Sequence, residues 1–182
     1  ALKCKNGQVH SFEANPNTYA ILNANIADNH VKNIVAHGFA LGASNGKAKI
    51  YPKTLESNRG GASLVESELN QGIDGVDVDV KRFDDLDVSH LPFSMVKIDV
   101  EGFEMEVLKG AEHFLKGENA PALIVECSES RSNLNFNRID LYRYLLSINK
   151  YKIYRLKLGK ERRSTLVEVK HESEIPFHDN LF

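Results

Sequence analysis

Hydrophobic and polar positions change period several times along this chain, and each change predicts an element. Val9 to Phe12 (VHSF) reads as a short strand ended by Glu13. Asn15-Pro16 then opens a helix, because Asn caps helices well and Pro suits the first helical position. Tyr19, Leu22 and Ile26 recur at helical spacing with Ile21 beside them, and Asp28-Asn29 marks the end. Ile34 to Leu41 reads as the next strand, giving a β-α-β unit whose short connections imply parallel strands and a right-handed crossover. From Gly42 to Gly75 the chain carries six of its twelve glycines with many Ser and Asn, which predicts an insert of hairpins and irregular loop over 42–75. Val76 to Val80 alternates Val and Asp, the mark of a strand with one wet face, and is expected at a sheet edge.

The stretch from Met95 to Leu115 packs a buried strand, a tight turn and an amphipathic helix into one unit. Met95, Val96, Ile98 and Val100 are interrupted only by Lys97, as in a parallel sheet covered on both faces. Gly102 permits a sharp exit. Phe103, Val107, Leu108, Ala111, Phe114 and Leu115 then recur at helical spacing, leaving Glu104, Glu106, Lys109 and Glu112 for solvent. Pro121 introduces another buried strand, ALIVEC, ended by Glu126. A helix over Arg138 to Ile148 shows Ile139, Tyr142, Leu145 and Leu146 on one face. YKIYRL and TLVEV follow with no helix between them, so they form an antiparallel hairpin. The expectation is one α/β domain over residues 1–182, with a mostly parallel sheet that ends in that hairpin.

Composition narrows the partners. With 42% hydrophobic and 26% charged residues, a net charge of -2 and a pI near 6.4, the chain carries no broad basic field, which argues against nucleic acid and anionic membranes. Lys157, Lys160, Arg162 and Arg163 fall between two strands and read as a solvated hairpin tip. No stretch is apolar for long enough to make an integral membrane segment. Cys4 and Cys127 are far apart, with no Cys-x-x-Cys pair, which predicts neither a disulfide framework nor a zinc site and fits a reducing, cytoplasmic setting.

Asp99, Glu101 and Glu126 are the candidate catalytic residues. The carboxyl ends of strands in an open α/β sheet are where ligands bind, and here three acids end neighbouring strands on one edge. Acids near a helix N-terminus also complement its dipole, which stabilises by roughly 0.3–1 kcal/mol and needs no substrate. The functional reading has them orient an acceptor hydroxyl or take its proton. No His or Asp at ligand spacing accompanies them, so no metal is expected; His10, His30, His37 and His113 read as scattered packing or surface residues.

The segments VHSFEANPNTYAILNANI, AHGFALGASNGKAKIY, VKIDVEGFEMEVLKGAEHFL and PALIVEC resemble, in this order over most of residues 7 to 127, the FkbM-type S-adenosylmethionine-dependent methyltransferases. The Lys-Ile-Asp-Val-Glu-Gly-Phe-Glu segment carries most of the likeness. The resemblance implies a Rossmann-like sheet, S-adenosylmethionine as cofactor, and O-methylation of a sugar, lipid-linked or natural-product hydroxyl. It places Glu13 on the ribose diol, with the Asn15 helix start behind it, and Ala40 and Leu41 beside the adenine. The family's first strand and its Asp-x-Gly-Ala-Asn-x-Gly type turn have no counterpart before Gly7. The expectation is therefore an N-terminally truncated domain, inactive as it stands, with a gap between the strands ending at Glu13 and Glu101. A non-catalytic α/β scaffold or docking module is the alternative, whereas a nicotinamide enzyme would need a Gly-x-Gly-x-x-Gly that the chain lacks.

Overall fold

Asn15 starts the first helix as its chemistry predicts: its side-chain oxygen accepts the Asn17 N–H at 3.0 Å, with Pro16 at the first helical position. The computed structural model describes residues 1, 4, 6–51, 74–128, 137–159 and 163–182. Along the chain these form β1 (Val9–Phe12), α1 (Pro16–Asp28), β2 (Ile34–His37), β3 (Ala40–Leu41), β4 (Gly46–Ile50), β5 (Val76–Lys81), β6 (Met95–Ile98), α2 (Glu104–Gly110), α3 (Glu112–Lys116), β7 (Ala122–Ser128), α4 (Arg138–Ile148), β8 (Tyr154–Leu156), β9 (Leu166–Glu168) and β10 (His178–Leu181). The fold is mixed α/β. Part of the 42–75 insert, together with Lys160, Arg162 and the opening Leu2 and Lys3, lies outside the described residues.

The strands form three hydrogen-bonded groups: β1 with β2, the order β3-β5-β4, and the order β6-β7-β10-β8-β9. The β1–β2 and β6–β7 pairs are parallel, with Phe12 opposite His37 and Ile98 opposite Val125. Among the described residues β1 and β6 share no ladder. Tyr19, Leu22 and Ile26 of α1 are half-buried, while Ile21 is exposed.

Several expectations need correction. Ile34 to Leu41 is two strands rather than one, because the chain changes partner after His37: β2 pairs with β1 and β3 pairs with β5. At the break, a Cβ on Gly38 would meet the Tyr19 ring at 3.0 Å. Val76 to Lys81 is the middle of its sheet and not an edge. Its wet face is satisfied across the ladder instead, where Asp79 and Asp77 pair with Lys47 and Lys49 of β4 at 2.8 and 3.1 Å. The terminal hairpin is antiparallel as expected, with β9 at the edge, but β10 lies between it and β7 and is antiparallel to both β7 and β8; with β4 also antiparallel to β5, the described sheets are mixed and not mostly parallel as expected. This strand, HDNL, has no apolar run to announce it; it places Leu181 (1% exposed) and Asp179 in the interior.

The helix expected after Gly102 is broken at Ala111 into α2 and α3. Asp84 explains the break: its carboxylate accepts the His113 and Phe114 N–H groups at 2.9 Å each and so caps the second piece. In α4 the Asn137–Asp140 capping box is present, and Leu141, Tyr142, Leu145 and Ile148 are buried, whereas Leu146 faces solvent. Leu108, Leu115, Val125, Cys127 and Leu181 form the most deeply buried part of the core, between α2, α3 and the five-stranded sheet.

Candidate functional site

β6 is not covered on both faces as expected, since Met95 is 60% exposed and Val96 half-buried while only Ile98 is buried, and it ends in a turn whose backbone is held against its own preference. Glu101 has φ +52° and Gly102 φ +96°, so two successive residues occupy the left-handed region. Gly102 does so freely, but for Glu101 the conformation costs on the order of 1 kcal/mol or more. The side chain of Glu104, in the first turn of α2, reaches back across this turn. Its Oε1 accepts the Val100 N–H at 3.1 Å and the Gly102 N–H at 3.2 Å, the amides on either side of Glu101. Glu104 is buried, which corrects the expectation of a solvent-facing position. Burial pushes its carboxyl above the ordinary 4.5, and nearby Glu126 adds to the rise against the pull of the backbone donors.

Asp99 follows Ile98 directly and Glu126 follows Val125, so the register of the parallel pair sets the two acids at neighbouring strand positions. Their environments differ. Asp99 is 41% exposed and its Oδ2 lies 2.5 Å from Lys97 Nζ, while Glu126 is only 8% exposed. Glu126 does not end its strand as expected, because β7 continues to Ser128 and Glu126 is paired opposite Asn180 of β10. His178 of the same strand brings its Nε2 within 3.9 Å of Glu126 Oε1. Among the described residues no group of three or more His, Cys, Asp or Glu is arranged to hold a metal ion.

The candidate nucleoside side lies on the β1–β2 and β3–β5 pairs. The Glu13 N–H donates to the His37 carbonyl at 3.0 Å, which carries the ladder one residue past β1, and Glu13 Oε1 accepts the Asn15 N–H at 2.8 Å. This leaves the carboxylate with further capacity to accept a ribose hydroxyl. Leu41 is half-buried and offers an apolar wall, whereas Ala40 is 5% exposed and is committed to packing opposite Val80. Glu13 thus keeps acceptor capacity and Leu41 an apolar surface, the two kinds of contact that a nucleoside asks for, whereas Ala40 does not supply one.

Two features do not show in the sequence alone. His10 and His37 are not scattered: Nδ1 of one lies 3.1 Å from Nε2 of the other, and His37 also stacks on Phe12 with centroids 4.5 Å apart. The period-2 placement of His10 and Phe12 on one strand face is the available signal, but the register to β2 is needed to complete it. His178 and Glu104 are hidden for related reasons. One lies on a strand without a hydrophobic pattern, and the other looks like any polar residue of an amphipathic helix.

Comparison with known proteins supplies the deciding observation: the family model described as the Methyltransferase FkbM domain matches residues 1–156. The chain belongs to the FkbM methyltransferase family. The signature turn, Glu13 and the β6–β7 pair all lie within the matched residues of this FkbM domain. A solved structure, the methyltransferase FkbM from Methylobacillus flagellatus KT, aligns with a TM-score of 0.53 and 20% identity over 96% of this chain and 35% of that one. That likeness supports the fold, and the chain spans about a third of the length of that neighbour. No curated protein matches the chain.

Proposed function

We propose that this chain is the core of an S-adenosylmethionine-dependent O-methyltransferase whose acceptor is a hydroxyl on a sugar, lipid-linked or natural-product molecule. The observation that carries the reading is the end of β6, where Asp99 precedes a left-handed turn formed by Glu101 and Gly102, within the residues matched by the FkbM domain. In this reading the parallel β1–β2 and β6–β7 pairs are parts of one Rossmann-like sheet, with ligands at the carboxyl ends of their strands. S-adenosylmethionine, when bound, supplies an electrophilic methyl group. Glu13 accepts from its ribose and Leu41 flanks the base. Asp99, half-exposed and charge-paired with Lys97, orients the acceptor hydroxyl or takes its proton, and Glu101 stands beside it. Glu126 is too buried to meet an acceptor from solvent and acts by setting the local field. Most of the catalytic gain then comes from alignment.

Titration calorimetry with S-adenosylhomocysteine, beside its release from S-adenosylmethionine over a panel of glycosides, lipid-linked sugars and phenols, tests this. Glu13→Ala should weaken nucleoside binding about tenfold, the value of one lost hydrogen bond to a charged group. Asp99→Asn should leave binding intact and abolish most of the transfer. Equal loss of binding in the two variants would overturn the assignment. Measured in the full-length protein, no binding would favour the scaffold alternative.

A further inference from the structure

We infer that Glu104 is a positioning residue for the acceptor side, holding Glu101 in its left-handed backbone conformation and thereby fixing the end of β6 on which Asp99 and Glu101 stand. The contacts converge on that turn, and the carboxylate also accepts the backbone N–H of Glu104 itself. One carboxylate oxygen accepts both amides that bracket Glu101, at 3.1 Å from Val100 and 3.2 Å from Gly102. Glu101 is the residue with φ +52°, which a non-glycine residue leaves when nothing opposes it. Without an acceptor the two amides would lose this partner, and the turn would relax towards negative φ at residue 101.

Burial excludes a simple solvating role. Glu104 is 5% exposed, beside Met105, Val107 and Leu108, where an acid without specific contacts would be replaced favourably by an apolar side chain. Glu126 nearby makes the position less hospitable still to a carboxylate. A carboxylate kept in so costly a place, with one oxygen spanning the strained turn at Glu101, is explained by the turn. What the two acids do there rests on the methyl-transfer reading above; the clamp itself does not.

The test compares Glu104→Met, which keeps apolar packing but removes the acceptor, with Glu104→Gln, which keeps an accepting oxygen. In isotopically labelled protein, the one-bond Cα–Hα coupling of residue 101 reports the sign of φ, and amide exchange reports Val100 and Gly102. Glu104→Met should lose the left-handed signature and speed exchange at those two amides by about tenfold or more, while Val125 and Cys127 keep their protection. Glu104→Gln should preserve both readouts. If Glu104→Met keeps the left-handed signature, or if exchange rises equally in β7, the proposal is wrong. If that variant is too unstable to study, adding Glu101→Gly must restore folding, because glycine removes the need for a clamp; failure to restore it overturns the proposal as well. S-adenosylhomocysteine binding by the wild-type protein is read separately. Its absence would remove the methyl-transfer reading, while the coupling and exchange results would still decide whether the clamp exists.

Discussion

A Cβ built on Gly110 would lie 2.0 Å from the carbonyl oxygen of Gly42, so the last turn of α2 sits directly on the backbone leaving β3. Gly42 is also crowded, since its own Cβ would come within 2.7 Å of a Val80 methyl. These contacts fix α2, with Glu104 at its other end, against the β3–β5 pair. The same two positions thus link the candidate nucleoside side to the candidate acceptor side through backbone packing.

Gly110→Ala is therefore expected to destabilise the fold by about 2–4 kcal/mol, because backbone cannot move aside as a flexible side chain can. The same substitution in an open helix would be stabilising. Urea unfolding followed by circular dichroism measures the difference; a change smaller than about 0.5 kcal/mol would mean that α2 slides freely on β3.

The capping role of Asp84 gives a second expectation. Asp84→Ala removes the acceptor for His113 and Phe114 N–H and leaves the start of α3 uncapped beside the core. A loss of about 1–3 kcal/mol follows, with faster amide exchange at those two residues. Exchange unchanged at His113 and Phe114 would show that α3 starts without help from Asp84.

Much of this architecture is legible in the sequence because it is local. The Asn15-Pro16 start, the β-α-β unit, the apolar run of β6 and the Asn137 cap each declare themselves within a few residues. What is illegible depends on partners distant in sequence. HDNL becomes a strand because Cys127 and Val125 present an open edge to Asp179 and Leu181, and nothing in its own composition requires that. Ile34 to Leu41 looks continuous until β5 competes for its second half. At the site, the strand-end acids Asp99 and Glu101 stand out by position alone, whereas Glu104 reads as solvent-facing because helical periodicity cannot see a side chain that folds back over its own N-terminus.

Glu104 also makes stability depend on pH with an identifiable sign. Its carboxyl titrates higher in the folded protein than the ordinary 4.5, chiefly through burial, so the folded state holds a proton that the unfolded state has already released. The associated stability is full below pH 4.5 and is lost as pH rises through the folded value. Glu104→Gln, which cannot titrate, should flatten this descent. Parallel wild-type and Glu104→Gln curves above pH 4.5 would contradict it.

The imidazole pair predicts the opposite slope. His37 titrates below its ordinary 6.5 because burial disfavours the charged ring, with His10 and Lys81 adding positive charge nearby. His10 Nδ1 and His37 Nε2 lie 3.1 Å apart, an approach that needs a lone pair on one of them and is lost if both nitrogens carry protons. In acid the unfolded chain takes up its proton first, so the contribution of His37 is complete above pH 6.5 and disappears as pH falls through the lower folded value. The change concerns the β1–β2 pair, because Phe12 and His37 are opposed in that ladder and their rings stack. His37→Phe keeps an aromatic ring against Phe12 but has no proton to bind. Its unfolding midpoint should therefore fall less steeply than that of the wild type as pH drops below 6.5, and amide exchange in Ser11 and Ala36 of the variant should keep the same protection over that descent. Identical acid profiles for the two proteins would rule out His37 as the group responsible.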